Sequence, residues 1–280
     1  MCSSDLGDFF DLQEYTHQEL FQTDEPVWTA LDRLQDYLAS FFQTSWPLTG
    51  HAGMVEKPLT IVNGTVRDDL AVRPSGQKNT IQAFDGDNPV ENAAIIMPGA
   101  YLFDDKIIIG AGSVVEPGAL IKGPTIIGAN TEIRQGAYMR GNCLVGRGCV
   151  VGHTTEIKGS IMLDGAKAGH FAYIGDSILG KDVNLGAGTK LANLKMIPGK
   201  IIITVNRKHH KTGRRKLGAI LGDLTETGCN SVVSPGTLMG PRSIVYSGIT
   251  VAGGLHPRRS CVMPSRGSIK VLNNPFGNDK

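Results

Sequence analysis

Residues 109–163 read IGAGSV-VEPGAL-IKGPTI-IGANTE-IRQGAY-MRGNCL-VGRGCV-VGHTTE-IKGSIM-L. The residue opening each block is apolar, from Ile109 through Val115, Ile121, Ile127, Ile133, Met139, Val145, Val151 and Ile157 to Leu163. An amphipathic helix repeats its buried face every ~3.6 residues and a half-buried strand every other residue, so neither calls for a period of six. The position after each guide is small or polar (Gly110, Glu116, Lys122, Gly128, Arg134, Arg140, Gly146, Gly152, Lys158, Asp164). Four residues after most guides stands a compact side chain: Ser113, Ala119, Thr125, Thr131, Ala137, Cys143, Cys149, Thr155. This is the hexapeptide repeat of a parallel β-helix. Each block supplies a short strand and a tight turn, and three blocks close one triangular coil. One coil cannot bury its own apolar face, so stability comes from stacking on its neighbours.

Beyond Leu163 the guides are expected at Ala168, Ile174, Leu179, Leu185 and Leu191, with five-residue steps before 168 and before 179. Stacking favours regularity, so a broken period is where function is sought. Residues 194–219 read as an insertion, with Pro198-Gly199 as a turn and Ile201–Val205 as one arm of a projecting hairpin. The period resumes at Leu221, Thr227, Val233, Met239, Val245 and Val251. The solenoid is thus expected over 95–255, followed by a basic tail over 256–280.

Residues 1–94 form a separate N-terminal part. Residues 8–45 read as helical, with a start at Pro26 after Asp24-Glu25 and apolar residues Val27, Leu31, Leu34, Leu38 and Phe41 at helical spacing. That face is expected to cap the solenoid end or to meet a neighbouring subunit. Residues 46–94 read as irregular, with short strands near Leu59–Val62 and Thr80–Ala83 and turns at Asn63-Gly64 and Asp85-Gly86. The fold class is therefore all-β, a parallel β-helix with a small N-terminal helical cap.

A net charge of +2 argues against a general affinity for nucleic acid. No apolar run approaches the ~20 residues of a membrane span, and no signal peptide is recognisable at the start, so a cytoplasmic location is expected. Of the five cysteines, Cys143 and Cys149 fall at compact inward positions and read as core residues rather than as metal ligands or a disulfide.

The stretches Ala168-Gly-His-Phe-Ala-Tyr-Ile-Gly-Asp176 and Val183-Asn-Leu-Gly-Ala-Gly-Thr189, with Asn193, resemble the acetyltransferase half of the bifunctional enzyme family that makes UDP-N-acetylglucosamine. The later Thr212-Gly-Arg-Arg-Lys-Leu-Gly-Ala-Ile-Leu-Gly-Asp223 is more similar to the archaeal sugar-phosphate nucleotidyltransferase/acetyltransferase branch. The resemblance covers roughly residues 95–255. It implies a left-handed β-helix, a homotrimer, and acetyl transfer from acetyl-CoA to glucosamine 1-phosphate, with no metal required. Position by position, it makes His170 the general base, Glu156 its orienting carboxylate and Asn193 the residue that positions the amine. It makes Arg140, Lys158, Tyr173, Asn184 and Lys216 contacts for the sugar phosphate. Ala187 and Cys229 fall on the CoA side, Cys229 at a position that is serine in the bacterial form. Arg258 and Arg259, with Arg266 and Lys270, are candidates for the CoA phosphates, across a subunit boundary. The family's nucleotidyltransferase domain carries a Gly-rich nucleotide loop, and nothing like it appears in residues 1–94, so that activity is expected to be missing.

The chemistry asks for these residue types on its own account. An amino sugar arrives as an ammonium and must lose a proton before it attacks a thioester, which a histidine can accept near neutral pH. A sugar phosphate calls for cations, and Arg140 and Lys158 stand three hexads apart, at one corner of successive coils. Backbone N–H groups of Gly186-Ala187-Gly188 are candidates to hold the tetrahedral oxyanion. Taken singly, a corner histidine is more often structural or solvated, and corner charges are usually solvated. His153, lacking matching partners, reads as solvated. The basic run from Asn206 to Lys211, with Arg214 and Arg215, reads mainly as a solvated hairpin tip. Three rivals stand beside the acetyltransferase: an acyltransferase for another amino sugar or a longer acyl chain, a covalent route through Cys229, and a non-catalytic β-helix that binds a sugar nucleotide or a partner enzyme.

Overall fold

The computed structural model describes residues 5–75, 81–205, 207–265 and 268–273; Asn206 and Arg266 lie outside the described residues, as do the side chains from 265 onward. The hexads fold as expected into a parallel β-helix. Each coil lays one short strand on each of three sheets. The first face runs from Ala94–Ile96 through Val150–His153 and Lys167–His170 to Ser260–Ser265, and the second from Tyr101–Leu102 through Glu156–Lys158 and Tyr173–Gly175 to Thr250–Val251. The third runs from Ile107–Ile109 through Ser160–Met162 and Ile178–Leu179 to Gly254–His256. The guides point inward and stack in register, for example Val115 on Ile133 and Ile133 on Val151. The solenoid does not stop at 255: Ser260–Ser265 adds a further strand to the first face and pairs antiparallel with Ser268–Asn273, which closes that end.

The small residue after a guide is required where coils approach most closely. A Cβ on Gly152 would lie 1.9 Å from the Gly169 carbonyl oxygen, so only glycine fits there. The compact inward hydroxyls satisfy backbone groups between coils. Ser113 Oγ, for instance, donates to the Gly128 carbonyl and accepts from the Thr131 amide.

The slip falls one step earlier than the period alone suggests. Met162, not Leu163, stacks between Val145 and Leu179. Leu163 is buried too, but in an outer cluster with the N-terminal part. Apolar side chains at both 162 and 163 fit the repeat, and packing outside the coil decides between them. The five-residue steps are therefore Ile157 to Met162 and Ile174 to Leu179, and both shorten the corner between the second and third faces. Gly159 and Asp176, in those two corners, take left-handed conformations with φ of 53° and 46°.

The helical face does not sit on the solenoid end, one of the two places expected for it. Helix α1 (Ala30–Ser40) is the only α-helix among the described residues, and residues before it form short 3-10 turns rather than the long helix read from 8. Its buried face (Leu31, Leu34, Leu38), with Phe9, Phe10 and Trp28, lies along the third face against outward Ile126, Leu144, Ile161, Ile178, Ile220 and Leu238. Each large aliphatic so covered contributes about 1.5–3 kcal/mol. The end is capped by residues 46–67. Leu59–Val62 pairs antiparallel with Ala94–Ile96, turns at Asn63-Gly64 and returns as Thr65–Arg67. Ala71–Pro74, Ile81–Asp85 and Asn88–Val90 form a small separate sheet.

The insertion is the hairpin expected, Ile202–Val205 with Lys208–Lys211, but it does not project. Ile201, Ile203 and Val205 fold back into the third-face cluster, the His210 ring meets Trp28 at 6.2 Å, and Arg214 pairs with Asp32. Cap and insertion together cover the third face, leaving the second face outside that cluster.

Candidate functional site

The second face carries most of the candidate residues along two edges. Its strand Glu156–Lys158 points Ile157 inward and Glu156 and Lys158 outward, roughly 6.6–7 Å apart along an extended strand. Arg140 stands in the same column one coil earlier, since Met139 is in register with Ile157. Lys158 is followed in the next coil by Gly175, in register, and then by Asp176.

At this edge the charges are paired. Lys158 Nζ lies 2.7 Å from Asp176 Oδ2, with the two side chains 20% and 12% exposed. The same carboxylate oxygen accepts from Asn193 Nδ2. Asn193 Oδ1 in turn accepts from the Tyr173 hydroxyl at 3.4 Å. Arg140 Nη1 bonds Glu156 Oε1 at 2.6 Å, and that hydrogen bond raises the arginine pKa still further. Three expected residues (Lys158, Asn193 and, through Asn193, Tyr173) thus meet around Asp176, a residue to which the sequence analysis assigns no role. Its signal was there: the only acidic residue in the shortened corner, at a position that needs left-handed backbone.

The opposite edge of the second face, its corner with the first face, carries His170. The ring is exposed and His153 is in register with it one coil earlier. Phe171, itself 55% exposed, packs at 5.2 Å from His153 and 6.2 Å from His170. The column continues through Ala187 and Cys229: the Gly188 amide donates to the His170 carbonyl, and the Asn230 amide to that of Ala187. His170, Ala187 and Cys229 therefore occupy one corner on successive coils.

The orienting hydrogen bond expected from Glu156 to His170 does not form; Glu156 is engaged by Arg140 instead. Glu156 points out of the face, and the long guanidinium of the preceding coil reaches it there. Asn184 lies on the first face, in register between Lys167 and Glu226, away from the Asp176 cluster. Lys216 stands at the foot of the insertion, bridged to Leu194, while the adjacent Leu217 amide donates to the Asn193 carbonyl. Its exposed side chain makes no ion pair among the described residues. Arg258 and Arg259 occupy the corner between third and first faces in the last coil, where the Arg259 amide bonds Pro241 O. Within one chain that is not the His170 corner. Among the described residues there is no cluster of three or more His, Cys, Asp or Glu able to hold a metal ion, and no helix is long and apolar enough to cross a membrane.

A six-residue period closed into a triangular prism, with polar side chains gathered where that period shortens, defines the class: a hexapeptide-repeat β-helix. Residues 121–223 match the family described as the GMPPB C-terminal domain. The chain is 40% identical over 101 residues to the bifunctional sugar-1-phosphate nucleotidylyltransferase/acetyltransferase of Sulfurisphaera tokodaii, a match covering 36% of this chain and 25% of that protein. It is 41% identical over 140 residues to the bifunctional protein GlmU of Methanococcus maripaludis, covering 50% and 34%. With GlmU of Anaplasma marginale it shares 31% over 169 residues, covering 59% and 36%. The resemblance read in the sequence, archaeal branch included, is borne out over this part of the relatives. The chain spans only about a quarter to a third of the length of the curated relatives it matches. Among solved structures, a UDP-N-acetylglucosamine O-acyltransferase of Moraxella catarrhalis is 16% identical, covering 65% of this chain and 76% of that one with a TM-score of 0.39. A mutant of perosamine N-acetyltransferase from Caulobacter crescentus, solved with CoA and GDP-perosamine, is 15% identical, covering 64% and 56% with a TM-score of 0.22.

Proposed function

We propose that this chain is an acetyl-CoA-dependent N-acetyltransferase for the amine of a hexosamine 1-phosphate, glucosamine 1-phosphate first among them. The observation that carries the reading is the split of the second face: an exposed histidine on one edge, and two cations, Arg140 and Lys158, in one column on the other. The length of a short strand between them suits a hexose whose amine and phosphate lie at opposite ends. The similarity to sugar-1-phosphate nucleotidylyltransferase/acetyltransferases supports the same assignment.

In this reading His170 takes a proton from the substrate ammonium. The freed amine attacks the thioester carbon to give a tetrahedral oxyanion; its collapse breaks the C–S bond, and the proton shed by the new amide nitrogen goes to the departing CoA thiolate. Backbone N–H groups of the Gly186–Gly188 corner would stabilise the oxyanion. Arg140 and Lys158 hold the phosphate, Glu156 and Asp176 hold those cations in place, and Asn193 and Tyr173 contact the sugar. We assign Ala187 and Cys229 to the CoA side, in the working unit of a homotrimer. A covalent route through Cys229 is disfavoured. It stands two coils from His170, roughly 9.5 Å at ordinary strand spacing, whereas an activated thiol needs its base within about 3 Å.

The test is CoA-thiol release from acetyl-CoA and glucosamine 1-phosphate by wild type and His170→Ala. Loss of general-base catalysis should cost ~10²–10⁴-fold in kcat. Full activity of His170→Ala would remove the base assignment. A wild type inert toward every hexosamine phosphate would favour the scaffold reading.

A further inference from the structure

The cation column of the second face continues past the two residues a sugar phosphate uses. Lys122 is in register with Arg140 one coil earlier, and Phe103 occupies the same position one coil before that, following Leu102, which pairs with Ile121. In order along the edge stand Phe103, Lys122, Arg140 and Lys158. Successive positions are one strand spacing apart, about 4.8 Å, so the row from Lys158 to Phe103 runs roughly 14 Å.

Two features of this row are unexplained by the fold. Arg140 and Lys158 each have a carboxylate partner, but Lys122 has no ion pair among the described residues. Its ammonium instead lies 4.4 Å from the Phe103 ring centroid and 5.5 Å from that of Tyr138. The nearby Asp104 carboxylate is occupied by the Lys106 and Gly123 amides. Phe103 is 56% exposed and its neighbour Tyr101 38% exposed, at the end of the row away from the proposed acetyl-transfer corner. The buried core takes nothing from these rings.

We propose that this row is a subsite for a nucleoside diphosphate, so that the acceptor is a nucleotide-linked amino sugar with its sugar over Tyr173 and Glu156. The proposal rests on the acetyltransferase reading and replaces its free hexosamine 1-phosphate acceptor by the nucleotide-linked form. One phosphate lies against Lys158 and Arg140 and the next against Arg140 and Lys122; adjacent phosphates need cations in a line rather than a single clamp. The ribose then carries the base to Phe103, an exposed ring with the Lys122 ammonium over one face, whose other face suits any nucleobase. A free sugar 1-phosphate would leave Lys122 and Phe103 without a role.

The experiment has a binding arm and a turnover arm. By calorimetry on the full chain, UDP and GDP should each bind at least tenfold tighter than pyrophosphate. Phe103→Ala should erase most of that margin, because base stacking on an aromatic ring is worth roughly 5- to 150-fold in affinity. Lys122→Ala should weaken the nucleotides and pyrophosphate alike. In turnover, both substitutions should raise KM for UDP-glucosamine about tenfold or more and leave KM for glucosamine 1-phosphate within about twofold. Nucleotides that bind no better than pyrophosphate, or substitutions that raise KM for both acceptors equally, would overturn the subsite while leaving acetyl transfer standing. Absence of acetyl transfer to either acceptor, with nucleotide binding retained, would overturn the transferase reading and keep the subsite.

Discussion

Asp176→Ala tests the idea that the shortened corner is held by its charges. The carboxylate serves two donors, Lys158 Nζ and Asn193 Nδ2. Its side chain is 12% exposed and that of Lys158 20%, so the pair lies between two regimes. Exposed pairs are worth ~0–1 kcal/mol, whereas removing one partner of a fully buried pair costs ~3–5 kcal/mol. An intermediate value of about 2 kcal/mol for the orphaned ammonium, and about 1 kcal/mol for the orphaned Asn193 amide, predicts a loss of about 3 kcal/mol. Asp176→Asn should cost roughly half as much, since its carbonyl oxygen can still accept from both donors but no longer carries the charge that pairs with Lys158. Lys158→Met combined with Asp176→Ala should be less destabilised than the sum of the single changes by ~1–2 kcal/mol, because no charge is left stranded. Urea unfolding followed by far-UV circular dichroism gives all four values. A cost below about 0.5 kcal/mol for Asp176→Ala, or strict additivity in the double variant, would refute the reasoning.

Three further outcomes concern packing, protonation and thiol access. Gly152→Ala should lower stability by about 2 kcal/mol or more, because its Cβ would meet the Gly169 carbonyl oxygen at 1.9 Å; an unchanged melting temperature would contradict that packing. Burial lifts the Asp223 carboxyl to about 6, against the lowering effect of hydrogen bonds from the Asp11 and Lys181 amides. Between roughly pH 4 and 6 the folded chain keeps a proton that the unfolded chain has released, so this group's contribution falls as pH rises through that window and is flat above it. The stability of wild type relative to Asp223→Asn should therefore drop by up to about 3 kcal/mol from pH 4 to pH 7, and a difference constant with pH would exclude the effect. Burial also pushes the Cys143 and Cys149 thiols up to about 12, while Cys229 is exposed. Native-state thiol titration should label Cys229 quickly and leave the other two silent until unfolding; equal rates would show that the coil interior opens.

The coils were legible because their physics is one-dimensional: a guide residue has only the equivalent guides above and below to satisfy, and period six records that directly. Leu221 to Val251 resumed in the register expected across a long insertion for the same reason. What failed was long-range or two-sided. Met162 and Leu163 are both apolar and both buried, one inside the coil and one beneath the N-terminal part, and local spacing cannot choose between two buried surfaces. The cap's destination on the third face was hidden likewise, since outward Ile126, Leu144 and Ile161 sit at positions the repeat treats as free. At the site, residue types and columns were readable, but partner choice was not. Glu156 reaches Arg140 rather than His170 because side-chain length and corner geometry decide the contact.

The two shortened corners explain why polar chemistry collects where it does. Dropping one residue from a hexad leaves the inward stack intact, since Ile157, Met162, Ile174 and Leu179 all remain buried, so the whole adjustment falls on the turn. The shorter turn keeps the left-handed backbone of the regular corners, at Gly159 and Asp176 as at Gly136 and Thr154, and holds Ser160 and Ser177 inside, where their hydroxyls donate to the Lys158 and Gly175 carbonyls. Asp176 follows Gly175, which stacks on Lys158, so the two charges of neighbouring coils meet at the shortened corner as a partly buried ion pair. Restoring a sixth residue to either corner would keep the β-helix and its core but relax this contact. The regular hexads therefore set the spacing of the cation row, and their shortening fixes its last member beside Asn193 and Tyr173.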